Sequence, residues 1–212
     1  MKNIKIENLC KEIKGISILN NINMELESGK IYGFRGVNGS GKTMLMKAIC
    51  GLIRTNSGNV YIDGEKVGKD IEFPKSVGVL IENPGLIGSY SGFENLRMLA
   101  DIKNKTSDEE IKDMLRKLGL DPEDKKKVKK YSLGMKQKVG IAEAFIDTPE
   151  LLMLDEPFNA LDDKTVEILK GMIKEYRRED RIIILTSHDA GMLEDLCDKI
   201  YYLEEGKLVK EE

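Results

Sequence analysis

Gly36-Val37-Asn38-Gly39-Ser40-Gly41-Lys42-Thr43 has residue types at the spacing that binds phosphate: a glycine, four variable residues, then Gly-Lys-Thr. The apolar run Ile31 to Phe34 predicts a strand leading in, and Met44 to Ile49 predicts a helix leading out. A loop so placed turns backbone N–H groups onto phosphate oxygens at a helix N-terminus, where the helix dipole favours negative charge. Glycines permit close backbone approach and angles that side chains disfavour. The expected nucleotide-binding set is Gly36, Asn38, Gly39, Ser40, Gly41, Lys42 and Thr43. The Lys42 ammonium is expected on the β- and γ-phosphates, with a catalytic as well as a binding role, and the Thr43 hydroxyl on Mg²⁺.

A second stretch supplies carboxylates. Leu151-Leu152-Met153-Leu154 predicts a buried strand that delivers Asp155 and Glu156 at its C-terminal end, where α/β sheets bind ligands. Asp155 is suited to hold Mg²⁺, directly or through a water. Glu156, one residue on, points differently and is suited to polarise a water for in-line attack on a γ-phosphate. A solvated acidic turn is the plain alternative, which the nearby phosphate loop disfavours.

These residues need a sheet to present them. Ile4 to Leu9, Ile22 to Leu26 and Ile31 to Phe34 read as early strands, with Glu27-Ser28-Gly29-Lys30 as a turn. Val60 to Gly64 and Val77 to Ile81 read as further strands. From Phe93 to about Ile146 the character turns helical: Ile111, Met114, Leu115 and Leu118 form an amphipathic stripe, Ser107 and Glu110 a capping box, and Gly119 a stop. After Pro149, strands at Leu151 to Asp155, Ile182 to Leu185 and Lys199 to Leu203 alternate with a helix carrying Val166, Leu169, Met172, Ile173 and Tyr176. The expectation is a single α/β domain over 1–212 with a largely parallel sheet, an N-terminal antiparallel β region and a helical subdomain inserted over 84–146.

Composition narrows the class. The 212 residues are 41% apolar and 33% charged, as in a soluble globular protein, and the net charge of −3 offers no global attraction to nucleic acid. Apolar runs fall well short of the roughly 20 residues that span a bilayer. Met1 to Glu7 alternates like a strand and lacks a signal-peptide apolar core. Cys10, Cys50 and Cys197 are scattered without metal spacing, and read as small buried side chains in a reducing cytosol. Lys125-Lys126-Lys127-Val128-Lys129-Lys130 reads as a solvated loop, or as a contact for a membrane surface or partner.

A third stretch suggests a family. Tyr131-Ser132-Leu133-Gly134-Met135 precedes the acidic strand and resembles the Leu-Ser-Gly-Gly-Gln signature of ATP-binding-cassette (ABC) transporter ATPases, with Leu133 for the first glycine and Met135 for the glutamine. The chain resembles that family over nearly its full length, and its Ser-Leu-Gly-Met form resembles subunits of bacitracin- and lantibiotic-type export and immunity systems. The resemblance implies a P-loop ATPase core, with ATP and Mg²⁺ as cofactors. It also implies that Ser132 and Gly134 cap the γ-phosphate held by an opposite subunit. Asn159-Ala160-Leu161-Asp162 resembles the family's D-loop, and His188 in Thr186-Ser187-His188-Asp189 stands at the position of its switch histidine, a catalytic role.

Two positions depart from the family. Ile13 aligns where an aromatic residue usually stacks on adenine, and Glu82, in Leu80-Ile81-Glu82-Asn83-Pro84, aligns with the Q-loop glutamine and is expected at the metal. The implied function is that of an ATP-hydrolysing subunit. Two copies, or one copy and a related ATPase subunit, pair head to tail and drive a separate integral membrane subunit, for export of a peptide, antibiotic or drug. It would sit in the cytoplasm at the inner face of the cell membrane. An ABC-type protein acting on nucleic acid and a non-hydrolysing switch subunit are the rivals. The first lacks its usual coiled-coil insertion or second cassette, and the Asp155-Glu156 pair opposes the second.

Overall fold

Alternation along the central strands buries both faces of one sheet. Leu151, Met153, Ile182 and Ile184 point to one hydrophobic core, while Leu152, Leu154, Ile183 and Leu185 point to another. The computed structural model describes residues 1–103 and 106–212. Its main sheet has the order β10(Lys207–Glu211), β9(Lys199–Glu204), β3(Lys30–Arg35), β8(Ile182–Thr186), β7(Leu151–Leu154), β6(Val77–Leu80). Every pairing in it is parallel except β9 with β10. A second, antiparallel sheet has the order β2(Ile16–Glu27), β1(Asn3–Ile13), β4(Ser57–Ile62), β5(Glu65–Lys66). Helix α1(Lys42–Ile49) leaves β3, and its Leu45, Met46 and Ile49 fill the core shared by the two sheets.

Between β6 and β7 the chain forms α2(Gly92–Lys103), α3(Asp108–Lys117), a short 3-10 turn at Val128–Lys130, and α4(Leu133–Phe145). Ser107 caps α3 in a reciprocal capping box with Glu110, and the turn after α3 bonds Leu120 N to Leu115 O through Gly119. Helices α5(Asp163–Tyr176) and α6(Ala190–Leu196) complete the second core, over Leu152, Ile183 and Leu185. This is the expected α/β class, with its N-terminal antiparallel region.

The structure adds elements that the pattern missed. β1 and β2 extend to a hairpin turning at Lys14-Gly15, and α6, β5 and β10 are new. The cysteine reading holds for Cys50, which is buried, but Cys10 and Cys197 are only half-buried. In the basic run the lysines are exposed except for the half-buried Lys127, which pairs with Glu94.

Candidate active site

The phosphate loop spans the gap between β3 and α1. Gly41 caps α1 at φ +105°, and a Cβ there would lie 2.9 Å from the Ile18 carbonyl oxygen, so the position is closed to any larger residue. Lys42 is buried, and its Nζ donates to the carbonyl oxygens of Gly36 at 2.6 Å and Val37 at 3.2 Å. Both acceptors are neutral, so the ammonium charge stays available to an anion in the loop. Ser40 Oγ is buried without a hydrogen-bond partner. An orphaned hydroxyl in a loop of N–H donors fits a phosphate oxygen.

The ends of β7 and β8 bring the oxygens. Thr43 Oγ1 donates to Asp155 Oδ2 at 2.8 Å, and Thr186 Oγ1 donates to Asp155 Oδ1 at 2.6 Å. Among the described residues no group of three or more His, Cys, Asp or Glu side chains is arranged to hold a metal ion. Adjacent hydroxyl and carboxylate oxygens instead fit Mg²⁺, which takes one or two protein ligands and completes its shell with water and substrate phosphates.

Glu156 sits at φ +48°, a left-handed conformation uncommon for a residue with a Cβ. Its N–H donates to Thr186 Oγ1 at 2.8 Å. Its Oε2 lies 2.9 Å from His188 Nδ1, while Oε1 is buried with no partner. One carboxylate oxygen is therefore oriented by the imidazole and the other is left to accept a proton or a hydrogen bond. A cavity of about 340 Å³ joins these parts, lined by Asn38 to Met44, Asp155, Glu156, Ile13 and Ile18.

The ABC transporter family model matches residues 19–159. The chain belongs to the ABC transporter family. It is 44% identical to an uncharacterized ABC transporter ATP-binding protein of Bacillus subtilis, YybJ, over 97% of this chain and 94% of that one. It is 37% identical to the lantibiotic transport ATP-binding protein SrtF of Streptococcus pyogenes, over 98% and 90%. It is 38% identical to the bacitracin transport ATP-binding protein BcrA of Enterococcus faecalis, over 98% and 68%. The ATP-binding cassette MJ0796, solved as a dimer in a post-hydrolysis state bound to ADP and Pi, superposes with a TM-score of 0.87 at 25% identity, covering 99% of this chain and 97% of that one. The protein is thus the ATP-binding subunit of an ABC transporter and an ATPase.

Within this ABC cassette the predicted site residues divide. The phosphate loop from Asn38 to Thr43, Asp155, Glu156 and Ile13 share one cavity, Gly36 lies outside it with its carbonyl oxygen on Lys42 Nζ, and His188 reaches Glu156. Ser132 and Gly134 do not line it. Ser132 caps α4 by accepting from Met135 N at 3.2 Å, and a Cβ on Gly134 would lie 2.5 Å from the Ala160 carbonyl oxygen. Glu82 also stands apart, at φ +59°, with its Oε1 2.7 Å from Lys47 Nζ rather than on the Thr43–Asp155 pair. Sequence reasoning missed Thr186, Lys47 and the buried Gln137. Only Gln137 left a signal, a polar residue four positions before Ile141 on the apolar side of α4.

Proposed function

We propose that two copies of this chain, or one copy and a related ATPase subunit, close head to tail around two ATP–Mg²⁺ and hydrolyse them to drive a separate membrane subunit. The observation that carries this reading is the arrangement of Glu156, one oxygen held by His188 and the other buried and free, beside the Asp155–Thr43 pair. Thr43 and Asp155 would hold Mg²⁺, which supplies neutralisation of phosphate charge. Lys42 turns its ammonium from the Gly36 and Val37 carbonyls to the β- and γ-phosphates. Glu156 Oε1 takes a proton from a water whose oxygen attacks the γ-phosphorus in line. The Pγ–O bond to the ADP leaving group breaks, and its electron pair departs with ADP. His188 keeps the carboxylate aimed and adds a donor near the transferred group.

Ser132 and Gly134 lie outside their own subunit's cavity, so α4 is free to present its N-terminus to the opposite one. The dimeric MJ0796 cassette supports that pairing. Residues 84–146 act as the helical subdomain that carries α4 toward or away from the partner. No helix among the described residues is long and apolar enough to cross a membrane; the cassette would work at the cytoplasmic face through a separate membrane subunit. The lantibiotic transport and bacitracin transport names of SrtF and BcrA support a peptide or antibiotic as the cargo, and export is the direction proposed here. Glu156→Gln tests the reading: it keeps the shape and loses the base, so ATP binding survives, turnover stops and ATP traps a dimer measurable by light scattering. Wild-type turnover in that variant refutes it.

A further inference from the structure

Gln137 lies about one turn into α4 with its side chain buried. Its Nε2 donates to the carbonyl oxygens of Glu156 and Pro157, both at 3.3 Å. The same helix touches the segment after β7 at two more points. Gly134 packs on the Ala160 carbonyl, and Lys138 Nζ pairs with Asp162 Oδ2 at 3.2 Å. Helix α4 is therefore seated on residues 156–162 along its first two turns.

That segment begins with the strained Glu156. A non-glycine residue at φ +48° persists only where its surroundings over-determine it. Here Thr186 Oγ1 takes the Glu156 N–H, while Asn159 N at 3.2 Å and Gln137 Nε2 hold the carbonyl. Of these, Gln137 alone comes from the helix that begins at Ser132. A helix is stiff over one turn, so a shift at Ser132 reaches Gln137 undiminished.

We propose that Gln137 is a positioning residue that couples the two ATP sites. It fixes the Glu156 peptide in its own subunit while the same helix caps the nucleotide of the other, so engagement at one site sets the aim of the base at the second. The proposal rests on the head-to-tail pairing above.

Gln137→Leu keeps the volume and removes the donor. The isolated subunit should bind ATP as wild type does, because the phosphate loop is untouched. In the assembled transporter KM should hold while kcat falls about tenfold to a hundredfold, the scale of a misplaced catalytic group. The Hill coefficient for ATP should drop to about 1. Gln137→Glu places an acceptor against two carbonyls, and only its protonated form donates. Its rate relative to wild type should therefore rise between about pH 8 and about pH 6. This ratio does not involve Gln137→Leu, and it decides the matter if that variant does not fold. A flat ratio overturns the proposal, as does Gln137→Leu with wild-type kcat and cooperativity, or Gln137→Leu that loses ATP binding in step with kcat. Non-cooperative wild-type hydrolysis, or turnover by Glu156→Gln, defeats the pairing and the coupling together. A dead Glu156→Gln beside an unchanged Gln137→Leu defeats the coupling alone.

Discussion

Gly134→Ala is the smallest change that separates α4 from the loop after β7. The added methyl carbon would lie 2.5 Å from the Ala160 carbonyl oxygen. Ordinary C···O contacts start near 3.3 Å, so the two groups must part by about 0.8 Å. Neither side gives easily. The obstacle is backbone, Ala160 is itself at φ +61°, and α4 is tied down by Gln137 and by the Lys138–Asp162 pair. A displacement of that size carries the Gln137 hydrogen bonds, already 3.3 Å long, out of range. Overpacking of this kind costs about 1–3 kcal/mol of stability. A misplacement near 1 Å at a catalytic group costs about a hundredfold in rate. The variant should therefore unfold at a lower urea midpoint, with unchanged slope, and bind ATP normally as an isolated subunit. It should lose about one to two decades of kcat in the assembled transporter. An alanine variant with wild-type stability and wild-type turnover would show that α4 and the 156–162 segment are not in rigid contact.

Other outcomes follow from the same arrangement of residues. Lys42→Ala should lose ATP affinity in the isolated subunit, whereas Ser132→Arg should keep it, cost about 1 kcal/mol for the lost α4 cap, and abolish hydrolysis; equal losses of binding would refute the shared site. With Ile13 and Ile18 at the cavity, and Tyr32 and Leu19 buried away from it, ATP and GTP affinities should differ by less than about tenfold, and Ile13→Tyr should tighten both by about 1–3 kcal/mol through stacking, as read by calorimetry. Glu82→Gln should soften the Mg²⁺ dependence of ATP binding if the carboxylate leaves Lys47 for the metal, a release that costs only about 0.2–1 kcal/mol for so exposed a pair; an unchanged dependence with lowered partner-stimulated hydrolysis would make Glu82 a coupling contact. Burial pushes the Glu143 carboxyl up from 4.5 to about 7, so the unfolded chain gives up that proton first and stability falls as the pH rises through that window. Glu143→Gln should remove the decline, gaining about 1–2 kcal/mol on wild type at pH 8 and little at pH 5; equal gains at both, in urea titrations, would refute the assignment.

Some of this was legible in the sequence because it is local. The phosphate loop, the apolar run into Asp155, the Ser107–Glu110 box and the stripe of α5 each lie within a window of a few turns or one strand, where period and residue type carry the signal. β10 was not legible, because most of its residues are exposed and no alternation marks it, and α6 has only two buried residues in two turns. Long-range pairs leave no local pattern at all. Lys47 meets Glu82 across 35 residues, and Thr186 meets Asp155 across 31.

Strain is likewise invisible until the chain folds, and its distribution bears on function. Glu82 follows β6, Glu156 follows β7, and Ala160 lies four residues beyond, and all three occupy the left-handed region. Asn, Asp and Gly tolerate that region and turns favour them; none of these three residues is of that kind. Ordinary turns of this chain, at Asp63-Gly64 and at Glu205-Gly206, use strained residues too, but there a glycine follows and shares the bend. At the ends of β6 and β7 no glycine follows, so the surrounding contacts must hold the conformation: Lys47 on the Glu82 side chain, Thr186 and Gln137 on the Glu156 peptide. Conformations kept by contacts are released when the contacts shift. Asp147 and Thr148, ahead of β7, are left-handed without a following glycine as well, so this strain is not confined to the site; at Glu82 and Glu156 it falls on segments that fringe the Asp155–Thr43 pair, whose geometry can respond to what α1 and α4 engage.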